Sequence, residues 1–142
     1  AEGPDLVVHA HDKILERMND YVHEMHHRSG LLDEVRESKI SIEEAETQTL
    51  EFLNEHLGTK YKPPLCGNSI GTDRRFLDAQ MNTLERRLHY RVVDVSSIKE
   101  LAIRWNPEID EKIPPKMETH RALDDIIESI EELKFYRENL FK

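Results

Sequence analysis

Apolar positions recur along this chain with two periods. "DLVVH" is short and β-branched and predicts a strand over Leu6–His9. In "DKILERMNDYVHEMH" the apolar residues Ile14, Leu15, Met18, Val22 and Met25 follow a helical spacing. "SGLLDEVRES" predicts a turn and a short helix. "SIEEAETQTLEFLNEHLG" predicts a longer one: Ser41 and Glu44 form a capping box, Ile42, Ala45, Leu50, Leu53 and Leu57 form a buried side, and Gly58 stops it. "YKPPLCGNSIG" predicts a short buried strand at Leu65–Cys66 ending in a glycine-containing turn that opens a helix in "TDRRFLDAQM". "HYRVVDVSS" predicts a strand over Tyr90–Val95, and "SSIKELAIRW" a helix with Ser96 as N-cap. "NPEIDEKIPPKME" is a proline-containing loop, and a last helix runs from near "THRALDD" to about Asn139. Strands alternate with helices, so the fold class is α/β, though three candidate strands make a thin sheet.

Composition narrows what this scaffold can hold. A chain of 142 residues, 37% apolar and 35% charged, fits one domain with a real core. It has no apolar run of membrane-spanning length, and "AEGPDLVV" lacks the layout of a signal peptide. The single cysteine, Cys66, excludes an internal disulfide and fits a reducing compartment. A net charge of −9 argues against a grip on long nucleic acid, which needs a basic face. It leaves room for a short one, because carboxylates hold divalent cations that bridge to phosphate.

The chemistry concentrates at the starts of two helices. In the last helix Ala122, Ile126, Ile130, Leu133 and Leu140 share one face. At about 100° per residue, Asp124 points away from that face and Asp125 lies at its edge, so Asp125 is the inward carboxylate. His120 and Asp125 can meet only if His120 lies in the loop ahead. The plainer reading of both is a helix-start histidine and a favourable N-terminal carboxylate. Asp73 shares a face with Phe76 and Leu77, and it either serves a site or complements its own helix start. Two inward carboxylates and a loop histidine are the parts of a metal-assisted phosphoryl reaction, although two ligands are too few for a metal pair. His23 and His27 have a zinc-compatible spacing but no accompanying cysteine pattern, so ordinary surface histidines are the better reading. Trp105, Phe135, Tyr136 and Phe141 are read as core or dimer packing.

"CGNSIGTDRRFL", "LHYRVVDVSSIKELAIRW" and "HRALDDIIESIEELKFYRENLFK", in that order, resemble the oligoribonuclease family, the small 3′→5′ exoribonucleases of the DEDDh group. "MHHRSGLLDEVRES" adds to the match, and the resemblance covers the whole chain. It implies a ribonuclease-H-like exonuclease fold, with a mixed sheet flanked by helices, as a single domain over 1–142. It also implies a homodimer with two Mg²⁺ or Mn²⁺ ions per site. Very short RNA, dinucleotides above all, would be degraded to 5′-mononucleotides in the cytoplasm, or in mitochondria in a eukaryote. By position, Asp73 and Asp125 match metal ligands, and His120 matches the base that deprotonates the attacking water. Tyr90, placed with His120 in the catalytic set, and Arg91 match residues that reach the partner subunit's site. Ser69 and Ser96 match hydroxyls near the substrate phosphate, with Ser97 a weaker candidate. His26 matches a histidine beside the substrate, and Tyr21 stands where the family often has tryptophan.

One part of the family pattern is absent. The first motif, D-x-E, supplies two of the four acidic ligands, and no comparable strand here carries it. The first strands of the sheet go with it. The expectation is an N-terminally incomplete domain, inactive on its own, from a longer enzyme. The alternative is a degenerate relative that acts as a non-catalytic α/β module and dimerises through "HYRVVDV" and the helix after it.

Overall fold

Helix starts and stops decide most of the architecture in the computed structural model, which describes residues 1–113 and 121–141. It is mostly helical, with one two-stranded parallel sheet among the described residues. The chain divides into two compact units, Ala1–Tyr61 with Gln80–Arg87, and Lys62–Ala79 with Leu88–Lys142.

The first unit contains α1 (Asp12–Leu15), α2 (Asp20–Arg28), α3 (Leu31–Glu37), α4 (Ile42–Leu57) and α6 (Asn82–Arg87). The single helix expected across "DKILERMNDYVHEMH" is two, because the Asn19 side chain accepts from the Val22 amide and starts α2 afresh. The strand expected over Leu6–His9 is a single parallel bridge between Val8 and Ile40. The capping box of α4 forms as expected, with Ser41 accepting from the Glu44 amide at 3.1 Å. At the other end Gly58 takes φ +68, in the region that favours glycine. Arg87 then donates to the carbonyls of Gly58 and Tyr61 past the end of α4. Glu46 accepts from the Leu84 amide and ties α6 to α4. Leu15, Leu32, Ala45 and Leu84 are buried here.

The second unit is built on β1 (Leu65–Gly67) and β2 (Val92–Asp94), paired in parallel with Cys66 opposite Val93. α5 (Gly71–Gln80) follows β1, and α7 (Val95–Trp105) follows β2 directly. A 3-10 segment (Pro107–Lys112) lies within the stretch expected to be loop, and α8 (Ala122–Asn139) closes the chain. Asp94, not Ser96, caps α7: its carboxylate accepts from the Ser96 amide, so the cap lies two residues earlier than expected. The second strand is correspondingly shorter than Tyr90–Val95, and β1 is half-buried, with Cys66 outward. The core joins Val95, Ala102, Ile109 and Tyr136, with Ile98, Leu133 and Leu140 packed against it. Tyr136 and Phe135 are thus core, as expected, while Trp105 and Phe141 are exposed.

α8 corrects the simple helix count. Its inward stripe is half-buried Ser129 with buried Glu132 and Tyr136, not the apolar Ala122–Ile126–Ile130 face. Asp124 is the half-buried member of the twin pair and Asp125 the exposed one, the reverse of the expectation. At about 100° per residue, Asp125, Ser129, Glu132 and Tyr136 share one stripe about 60° wide, and Asp125 is open only because it lies at the end of α8 away from the packed core.

Candidate functional site

The turn after β1 and the starts of α5, α7 and α8 converge in the second unit. Gly67 has φ +152, and a Cβ there would come within 3.0 Å of the Ile70 side chain. Only glycine lets the strand end and the chain turn that closely. Ser69 follows with φ +53, the one non-glycine residue with positive φ among those described.

Asp73 and Asp125 line one cavity of about 500 Å³. Each stands in the first turn of its helix, α5 and α8, where unpaired backbone amides favour negative charge. Asp73 reaches the cavity although Phe76, expected to share a buried face with it, is exposed. The remaining wall is largely apolar, including Leu65, Val95, Ile126 and Ile130. Carboxylate oxygens suit a hard divalent cation. Two of them fit part of such a donor set, and among the described residues no group of three or more His, Cys, Asp or Glu is placed to hold a metal ion. His120, the expected base, lies outside the described residues.

Ser69 and Ser96 come together as expected. Their hydroxyls are 3.1 Å apart, and the Ser69 amide donates to both Ser96 Oγ and Asp94 Oδ1 at 3.0 Å. Ser97 bonds to the other Asp94 oxygen. Tyr90 is 72% exposed, stacked on His89, with the Arg91 guanidinium 5.4 Å from its ring centre. Arg74, next to Asp73, donates to the carbonyls of His89 and Tyr90 and so anchors that segment to α5. His26 and Tyr21 belong to α2 in the first unit. Tyr21 is exposed, and His26 Nδ1 is buried without a hydrogen-bond partner. The His23 and His27 rings stack at 6.5 Å, which fits neighbouring surface histidines.

Three residues that sequence reasoning missed belong here. Asn68 donates from Nδ2 to Ser129 Oγ at 3.0 Å and to Glu132 Oε2 at 3.1 Å, and its Oδ1 accepts from Ser96 Oγ. Glu132 is 3% exposed. The available signal was helical spacing, since Ser129 and Glu132 follow Asp125 at i+4 and i+7, on one face. Cys66 also lines the cavity, and burial pushes its thiol up, which makes it a poor nucleophile.

The RNase_T family model, described as Exonuclease, matches residues 1–133. The oligoribonuclease of Mycobacterium tuberculosis is 54% identical over 140 residues, 99% of this chain and 65% of that protein. That of Corynebacterium glutamicum is 51% identical over 99% of this chain and 64% of its own length. That of Rhodococcus jostii is 52% identical over 99% of this chain and 70% of its own length. The chain therefore spans about two thirds of the length of such relatives.

Proposed function

The chain belongs to the oligoribonuclease family of exonucleases, and from that premise we propose that the whole protein is a metal-dependent 3′→5′ exoribonuclease. Its substrates are very short RNAs, dinucleotides above all, which it degrades to 5′-mononucleotides. The observation that carries this reading is that Asp73 and Asp125, distant in sequence, line a single cavity. The proposed setting is one exonuclease domain with a ribonuclease-H-like fold. A family match running through both units supports this, as does a parallel strand pair flanked by helices.

In this reading Asp73 and Asp125 hold the divalent cations, two Mg²⁺ or Mn²⁺ ions per site in the complete protein. When bound, these stabilise developing charge on the phosphate and lower the pKa of water. Ser69 and Ser96 place a pair of hydroxyls beside the scissile or terminal phosphate. The apolar wall excludes water and gives the bases a surface. His120 takes the proton of the attacking water, and His26 and Tyr21 contact the substrate. A net charge of −9 suits a ligand small enough to be held through cations and a few local contacts.

Tyr90 and Arg91 extend from the molecule and, in a homodimer, complete the partner's site. Exposed Val92, Leu101 and Trp105 on β2 and α7 support that surface. A non-catalytic dimerisation module would use the same surface. The proposed location is the cytoplasm, or mitochondria in a eukaryote. Among the described residues no helix is long and apolar enough to cross a membrane.

The test is to incubate the full-length gene product with a labelled diribonucleotide and Mn²⁺. Conversion to mononucleotides is expected, and an intact dinucleotide means the enzyme reading is wrong. The segment 1–142 alone, with only part of a donor set, is expected to give no turnover.

A further inference from the structure

A chain of hydrogen bonds runs from the core of the second unit to the Ser69–Ser96 pair, and its proton directions can be followed residue by residue. Tyr136, fully buried, donates its hydroxyl to Glu132 Oε1 at 3.1 Å. Glu132 Oε2 accepts from Asn68 Nδ2. A carboxylate can only accept, so it holds the amide with its NH₂ inward. Ser129 agrees with that orientation, because its own proton goes to the Asp125 carbonyl at 2.8 Å and its oxygen is left to accept from Asn68. Asn68 Oδ1 therefore faces outward and takes the single proton of Ser96. Ser96 Oγ is left as an acceptor toward the Ser69 amide and hydroxyl. Only the Ser69 proton at the outer end is free to turn away.

We propose that Glu132 is a positioning residue that sets the direction of this chain, so that Ser69, and not Ser96, is the hydroxyl that donates to a substrate phosphate oxygen. The proposal rests on the exoribonuclease reading and names the donor within it. Ser96 acts through Ser69: its own proton goes inward to Asn68, and its oxygen accepts from the Ser69 amide, which fixes that residue's backbone. The buried carboxylate costs desolvation, and the donors from Tyr136 and Asn68 help to offset it. Replacing it by glutamine keeps the volume and removes the lock, since a glutamine amide can present either its oxygen or its nitrogen to Asn68.

The experiment uses the full-length protein and a diribonucleotide. Losing one net hydrogen bond at the phosphate predicts that Glu132→Gln raises KM about fivefold while kcat stays within about twofold. Ser69→Ala raises KM by at least as much, and adding Glu132→Gln to it has no further effect. Ile109→Ala, in the same core but outside the chain, lowers Tm and leaves KM unchanged. A Glu132→Gln KM within twofold of wild type, or an increase that simply multiplies with that of Ser69→Ala, overturns the proposal. Hydrogen exchange at the Ser69 amide reads the same linkage without turnover. Protection is expected to fall in Glu132→Gln while the α8 amides stay protected, and unchanged protection overturns the proposal. An absence of cleavage by wild type overturns the exoribonuclease reading instead, and the exchange result still decides the linkage.

Discussion

The two halves of α8 are one continuous helix with opposite environments. Its C-terminal half is packed: Glu132 and Tyr136 are 3% and 0% exposed, and Tyr136 clusters with Val95, Ala102 and Ile109. Its N-terminal half is open: Ile126 and Ile130 are 55% and 49% exposed and line the cavity beside Asp125. The closed half holds the helix rigidly, and the open half presents a carboxylate and apolar wall that a rigid helix keeps in place. The polar stripe Asp125–Ser129–Glu132–Tyr136 joins the two, and each half should respond to substitution in its own currency.

The comparison orders the expected effects. Largest is Asp125→Asn at the open end, expected to cut dinucleotide turnover by about a thousandfold or more, on the scale of losing a transition-state charge partner. Its thermal midpoint should hardly move, and a large drop in Tm would make Asp125 a structural residue. Next is Tyr136→Ala at the closed end, expected to cost about 3–5 kcal/mol in denaturant unfolding, as for other large core truncations. A cost similar to that of a surface change would break the contrast. Ile130→Ala, of the same apolar class but in the open half, should cost about 1 kcal/mol or less while weakening dinucleotide binding. The smallest effect is at Cys66. Burial raises its thiol pKa, so less of it is thiolate near pH 8 and alkylation should be slower than for a free cysteine, speeding up as pH rises. Alkylation as fast as the free thiol would show that the cavity wall gives no protection.

Local signals were legible where local chemistry decides. The Ser41–Glu44 box and Gly58 set α4, while the nearness of Ser69 and Ser96 was implied only by the family resemblance. Misreadings arose where a competing side chain acted locally, as when Asn19 split one helix and Asp94 took the cap expected of Ser96. The inward stripe of α8 was harder to see. Apolar count favours Ala122, Ile126 and Ile130, yet burial follows Glu132 and Tyr136, because Asn68 and Tyr136 satisfy the carboxylate. Sequence periodicity registers apolarity and carries no record of which polar group will find partners. Asn68 and Glu132 were therefore invisible, being far apart in sequence and joined only by the fold. Asp125, expected at the margin of the apolar face, lines the cavity from the polar stripe instead.

The twin aspartates give the most direct test. Full-length wild type, Asp124→Asn and Asp125→Asn are compared on a diribonucleotide with Mn²⁺. The account predicts near wild-type turnover for Asp124→Asn and near-complete loss for Asp125→Asn. Equal loss in both, or full activity in Asp125→Asn, would contradict it.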